Sequence, residues 1–319
     1  MNLPLNKFLR QILPFLSLLL IVLALSILAP ERFLTLDNQL NVLRRCSVNA
    51  ILAVGMTAII ISGGIDLSVG AILAVAGMAG AWTIIQCGGN SSSMWLGTLS
   101  GICAGTLCGM LNGGLITSLK LPPFIVTLGT MSIYRGIAYV LNDGQPYNVP
   151  FYKFLGSGEL LHVPVSVLIA GALTLIASLT LRYTPLGRYT YAIGSNREAA
   201  YHAGINIRRN LLAIYTLSGL LAGVAAMIQT SRTVSAQPTA GIGLELDIIA
   251  AVVIGGASLS GGRGSILGTV IGTLLISYLR NGCTLLGITT NVQLIVIGAI
   301  IISAVAVDQV ARDKRSEGS

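Results

Sequence analysis

Charge is scarce in this chain. Only 9% of its 319 residues are Asp, Glu, Lys or Arg, against roughly 25% in a soluble globular domain. So few charges cannot cover a water-facing surface for a chain of this length, and lipid is the expected solvent for most of it. The net charge of +8 would point to nucleic acid in a soluble protein. Here the basic residues fall between apolar runs, which reads as membrane topology and no nucleic acid partner.

Catalytic equipment is missing as well. The two histidines, His162 and His202, fall on opposite expected sides of the membrane. Neither an H-E-x-x-H zinc motif nor a G-x-S-x-G nucleophile elbow occurs. No span carries a carboxylate pair set for acid–base work, so an intramembrane enzyme is disfavoured. The five cysteines, Cys46, Cys87, Cys103, Cys108 and Cys283, lack metal-ligand spacing and read as small apolar filler. Cys87 and Cys283 are the two that could face an oxidising compartment. Neither metal nor cofactor is expected. A G-x-x-x-x-G-K-[ST] phosphate loop is also lacking, and none of the four lysines follows a glycine. Any ATP hydrolysis must then occur on a separate protein. Proton- and sodium-coupled carriers usually hold ionisable residues inside their spans. Here only Asp66 and Asp247 come near that, and both lie beside breaks.

Apolar residues make up 54% of the chain, and the mean hydropathy is +0.82. A bilayer-crossing helix needs about 20 apolar residues. Ten stretches are read as spans: 12–29, 47–62, 67–86, 95–118, 124–141, 164–181, 211–229, 246–260, 264–280 and 290–307. The first resembles a signal peptide, but Ala29-Pro30 offers no A-x-A cleavage site, so it is expected to remain as an anchor. With both termini inside, Lys7, Arg10, Lys120, five loop arginines, Arg263, Arg312, Lys314 and Arg315 are internal. That places twelve of the nineteen basic residues in the cytoplasm, the orientation that positive charge favours. The segments 30–46, 142–163 and 230–245 are then the outer loops.

Two glycine-rich breaks repeat. Gly63-Gly64-Ile65-Asp66-Leu67-Ser68-Val69-Gly70 and Gly255-Gly256-Ala257-Ser258-Leu259-Ser260-Gly261-Gly262 both fit G-G-x-x-L-S-x-G. Broken helices in corresponding positions point to a transport path; two tight cytoplasmic turns is the alternative. Asp66, Ser68, Ser258 and Ser260 are suited to capping the helices that follow. Glu245 and Asp247 stand at a helix start, where an acid complements the dipole. Gly97, Gly101, Gly105, Gly109 and Gly113 recur every fourth residue, and Gly219/Gly223 and Gly264/Gly268/Gly272 repeat the device. Such stripes let helices approach closely.

The loop 182–210 holds five arginines and one acid, Glu198. Within it, Ser195-x-x-Glu198 predicts a capping box, and Gly204 a left-handed stop. A short capped helix on a membrane loop is suited to docking another protein.

The segment Glu198-Ala199-Ala200 followed by Gly204 resembles the E-A-A…G cytoplasmic signature of ABC importer permeases. G-G-I-D-L-S-V-G at 63–70, L-G-R-Y-T-Y-A-I-G-S-N at 186–196, S-A-Q-P-T-A-G at 235–241 and E-L-D-I-I-A-A-V-V-I-G-G at 245–256 are similar to the ribose-type permease group. The likeness runs from about residue 30 to residue 307. It implies an all-α polytopic membrane protein, a single permease domain over 1–319 with some helices discontinuous, in a bacterial inner membrane. It implies a second permease subunit, identical or paralogous, two cytoplasmic ATPase subunits and a periplasmic or lipid-tethered sugar-binding protein. Glu198, Ala199, Ala200 and Gly204 would form the coupling helix. Asp66, Ser68, Gln237, Pro238, Glu245 and Asp247 would line or flank the path, and the second break adds Ser258 and Ser260. The expected function is import of a simple, ribose-like sugar. The alternatives are branched-chain amino acid or sugar-like signal import within the same superfamily, or a secondary carrier working without an ATPase.

Overall fold

A computed structural model describes residues 3–300, 302 and 303. Arg312, Lys314, Arg315 and the end of the last expected span lie outside them. The described chain is mainly helical: α1 Leu3–Leu28, α2 Pro30–Phe33, α3 Leu36–Ile61, α4 Val69–Gln86, α5 Ser91–Leu119, α6 Pro123–Val140, α7 Phe154–Ser157, α8 Val165–Tyr183, α9 Pro185–Ser195, α10 Arg197–His202, α11 Ile207–Thr233, α12 Leu244–Ile254 and α13 Ile266–Leu285. A further apolar helix, α14, covers Thr290–Ile300. The strands are two residues each. β1 (Tyr147–Asn148) pairs antiparallel with β4 (Ser235–Ala236), and β2 (Glu159–Leu160) with β3 (Val163–Pro164).

Six of the described helices, α3, α4, α5, α8, α11 and α13, are long and apolar enough to cross a membrane. The other four expected spans coincide with α1, α6, α12 and α14. Of these, α12 has only 11 residues, and Pro14–Leu28 and Thr290–Ile300 are shorter apolar helices.

The core is built on small residues. α3 and α4 are buried along most of their length, and α5 and α11 lie against them. A Cβ on Gly105 would come 2.6 Å from the Gly219 carbonyl oxygen and 2.7 Å from Gly223 Cα, and one on Gly109 would meet the Tyr215 carbonyl. The stripe read from the sequence is therefore the seam between α5 and α11. Backbones in this contact gain dispersion and lose no rotamer entropy, the arrangement helices use in lipid.

The sequence reading misplaces several boundaries. The expected outer loop 30–46 is mostly helix. Thr35 caps α3 by accepting from Asn38 N at 3.3 Å, and Asp37 sits in the first turn where it complements the dipole. The polar residues from Asp37 to Arg45 simply continue the helix beyond its apolar part, which hydropathy does not detect. The expected loop 182–210 holds two helices, α9 and α10. Ser195 is the last residue of α9, so it does not cap α10. The cap is Asn196, extended at φ −157°, whose side chain accepts from Ala199 N at 2.9 Å. The left-handed stop is present: Gly204 has φ +80°. Ile205 N donates to Ala200 O at 3.1 Å and Gly204 N to Tyr201 O at 3.0 Å, the two bonds of a Schellman motif.

Candidate functional site

The predicted residues separate into three places. The first is the α10 end of the bundle, where both glycine breaks meet. Gly262 N donates to Ile61 O at 2.8 Å. A Cβ on Gly261 would lie 3.0 Å from Gly63 Cα. Helix α9 lies directly on this junction. Gly194 has room for no side chain, because a Cβ there would overlap the Ile61 carbonyl and approach Gly262 N at 2.6 Å. Tyr191 donates to Gly264 O at 2.8 Å, and burial pushes its hydroxyl pKa up, which keeps it a donor. Ser195 Oγ packs against Gly262. Beyond α9, α10 projects outward. Glu198, Ala199 and Gly204 are exposed and Ala200 is buried, while Tyr201 is 68% exposed.

Ser258 and Ser260 belong to this junction, but they do not cap α13. That role falls to Ser265, which accepts from Gly268 N at 3.0 Å. The second break runs three residues past its repeat unit before helix resumes at Ile266. Ser258 instead closes a turn, its carbonyl accepting from Gly261 N at 2.9 Å and its N–H donating to Arg263 O at 3.1 Å.

The second place is a buried polar knot between α3 and α4. Asp66 is 2% exposed. One of its oxygens accepts from Ser68 N at 2.8 Å and from Ser68 Oγ at 2.6 Å. Asn112 on α5 donates to Ser68 Oγ at 2.8 Å. The Tyr134 hydroxyl lies 3.1 Å from Asn112 Oδ1 and 2.9 Å from the Cys108 carbonyl. Thr127 accepts from Leu67 N at 3.2 Å. With its hydroxyl committed to Asp66 and Asn112, Ser68 makes no side-chain cap on α4. Asn112, Tyr134 and Thr127 were missed by sequence reasoning. Asn112 alone carried a signal, as an amide within an apolar span beside the glycine stripe.

The third place lies toward the opposite end. α3 rises 1.5 Å per residue, so Arg45 stands about 24 Å from Ile61 along it. Here the segment 237–243 folds back into the bundle. Arg135 on α6 donates to the Pro238 and Ala240 carbonyls, both at 2.7 Å. Gly70 packs on the Gly241 backbone and within 2.9 Å of Glu245 Oε2, measured from an ideal Cβ. Asp247 is 4% exposed and pairs with Arg280: Nη2 donates to Oδ1 at 2.8 Å, and Nε lies 2.8 Å from Oδ2 without the alignment of a second hydrogen bond. This pair is more than dipole complementation, since it places a guanidinium and a carboxylate together inside the bundle. A cavity of about 280 Å³ opens between α3, α11, α12 and α13, lined by Arg45, Asn49, Gln229, Arg232, Asp247 and Arg280. A smaller one, about 60 Å³, shares Leu73 and Gln229 with it and takes in Gln237. Ser258 and Ser260 are not among the lining residues of either cavity.

Cys46, Cys87, Cys103, Cys108 and Cys283 are all free thiols. Among the described residues, no three His, Cys, Asp or Glu side chains cluster as metal ligands.

Helices broken at one end, a buried polar knot and a polar cavity toward the other define a polytopic membrane protein of the transport type. The chain belongs to a known permease family. The family model described as branched-chain amino acid transport system / permease component matches residues 38–305. The ribose import permease protein of Bacillus subtilis (strain 168) is 46% identical over 301 residues, covering 93% of this chain and 92% of that protein. The ribose import permease protein of Escherichia coli (strain K12) is 42% identical over 298 residues, 92% and 91% of the two chains. The D-allose transport system permease protein of the same strain is 37% identical over 298 residues, 92% and 90%. No solved structure matches the chain.

Proposed function

We propose that this chain is the membrane-spanning subunit of an ATP-binding-cassette importer for a simple sugar of the ribose type. In this reading the chain crosses the inner membrane ten times with both termini in the cytoplasm. α12 is one of the broken spans. α10 is the coupling helix, formed with Glu198, Ala199, Ala200 and Gly204: Glu198, Ala199 and Gly204 face a groove in a separate ATPase, and the buried Ala200 seats the helix on its own bundle. A second permease subunit completes the path, and a binding protein delivers the sugar at the opposite face.

The observation that carries this reading is the seating of α9 on both breaks. A push on α10 passes through the single residue Asn196 into α9, and from Gly194 and Tyr191 into the ends of α3 and α13. A short rigid helix wedged on two discontinuities converts a displacement at the surface into a change in the path. The named relatives import ribose or transport D-allose, both neutral and hydroxyl-rich. That matches a bundle whose polar lining is hydroxyls, amides and backbone carbonyls, with a few guanidiniums and the carboxylate of Asp247.

Two substitutions test the coupling. Gly204→Val forces a β-branched residue to φ +80°, a strain of about 1–2 kcal/mol or more. Glu198→Lys reverses the charge on the exposed face. Both are expected to abolish ATP-driven D-ribose uptake and co-purification of the ATPase while the chain stays in the membrane. Wild-type uptake and ATPase retention in both variants would remove the coupling assignment.

A further inference from the structure

The cavity of about 280 Å³ has an unbalanced charge that the proposed function does not use. Three guanidiniums line it, those of Arg45, Arg232 and Arg280, against one carboxylate, that of Asp247. Asp247 is already committed to Arg280 at 2.8 Å. Arg232 Nη2 donates to Gln229 at 2.8 Å, but its Nε is buried without an acceptor. Arg45 is exposed and has no hydrogen bond or ion pair among the described residues, and its charge opposes that of Arg232. Buried donors without acceptors are uncommon. Two like charges facing one space must also be held there by the fold.

We propose that this cavity is a solute site with a positive wall. It holds a neutral, hydroxyl-rich molecule by guanidinium and amide donation, and its net positive charge keeps cations out of the path. Its size is close to the roughly 300 Å³ lower bound of small-ligand sites. A sugar hydroxyl oxygen accepts from Arg45 and from the terminal nitrogens of Arg232, while Asn49 and Gln229 offer both donor and acceptor. The ligand brings no charge, so it satisfies donors without forming an ion pair, and release stays easy. An anion is drawn to Arg45 and Arg232, but it meets the Asp247 carboxylate and must shed its own hydration, which together offset that attraction. A cation meets two guanidiniums that have no carboxylate partner, the kind of barrier that arginines raise in selective pores.

The inference rests on the proposed orientation, with the cavity toward the outside. The test uses the assembled importer in right-side-out vesicles, with the five cysteines replaced by serine and Asn49→Cys introduced. Its thiol is labelled from outside with a sulfonatoethyl or a trimethylammonioethyl methanethiosulfonate, and each rate is divided by that of free 2-mercaptoethanol. The normalised anionic-to-cationic ratio is expected to exceed ten. Adding Arg45→Gln and Arg232→Gln should bring it within two-fold of unity. D-Ribose should slow labelling at least three-fold, and more than D-ribonate does. A ratio near one in the parent, a ratio unchanged by the two arginine substitutions, or stronger protection by ribonate would each overturn the proposal. ATP-driven ribose uptake by the cysteine-free parent, without Asn49→Cys, is scored separately. Its absence would retire the ribose assignment, while the charge ratio would still decide the cavity.

Discussion

The two ends of this bundle are built from different materials. At the α10 end, backbone meets backbone. Ile61, Gly63, Gly194, Gly261 and Gly262 come together with almost no side chain between them, and a backbone hydrogen bond, Gly262 N to Ile61 O, closes the joint. Toward the opposite end, long polar side chains do the contacting: Arg135 on two carbonyls, Arg280 on Asp247, Arg232 on Gln229. A backbone joint has few rotamers to absorb movement, so it transmits displacement. A wall of flexible arginines and amides has many, so it adapts to what enters. The division fits one end that receives force and another that handles solute.

The comparison breaks most sharply at Gly194. Gly194→Val should abolish uptake, because its side chain would have to displace the backbone at Ile61 and Gly262, both fixed in the joint. Overpacking a tight site typically costs about 1–3 kcal/mol and occasionally more, and here no side chain is available to move aside. Gly171→Ala on α8 is the control, since a Cβ there meets nothing within 4 Å. Membrane yield and monodispersity on size exclusion check both. Equal behaviour of the two variants would mean that the joint is not tight.

At the opposite end the failure should be electrostatic. Arg280→Met leaves Asp247 buried without its partner, at a cost of about 3–5 kcal/mol. Adding Asp247→Leu removes the orphaned charge and should recover most of that stability, read as the thermal midpoint in detergent. Recovery of stability without recovery of uptake would assign the pair a role in transport. Between the two ends lies the polar knot. Asn112→Leu strips Ser68 and Tyr134 of one partner each, while Ser68 keeps Asp66 and Tyr134 keeps the Cys108 carbonyl, so the loss is that of the bonds themselves, about 0.5–1.5 kcal/mol each. The same thermal shift measures it.

Much of this was legible before any coordinates. Glycine spacing announced the α5–α11 seam because a four-residue repeat leaves only one helical face. The breaks were visible because glycine runs interrupt apolar runs. Helix ends were less legible where polar residues prolong a helix, as from Asp37 to Arg45, since hydropathy measures lipid exposure and not backbone geometry. Asp66, Glu245 and Asp247 could be picked out as acids near spans. Their partners could not, because Asn112, Arg135 and Arg280 lie tens of residues away and only tertiary packing selects them. Nothing in the spacing of 63–70 and 255–262 said that the two repeats touch, or that α9 lies on both.

The smallest effect separates two adjacent residues. The S-x-x-E pattern predicts Ser195 as the cap of α10. The geometry favours Asn196, which is extended and accepts from Ala199 N at 2.9 Å, while Ser195 is still helical and turned toward Gly262. Loss of a cap costs about 1 kcal/mol, which is roughly a five-fold change in a local opening equilibrium. Asn196→Ala should therefore speed hydrogen exchange at the Ala199 amide about five-fold. Ser195→Ala should leave that amide unchanged, because its hydroxyl makes no bond to α10. Its effect should appear at the joint, as faster exchange at Gly262. The reverse pattern would restore the capping box and detach α9 from the second break, and with it the mechanical path from α10 to α13.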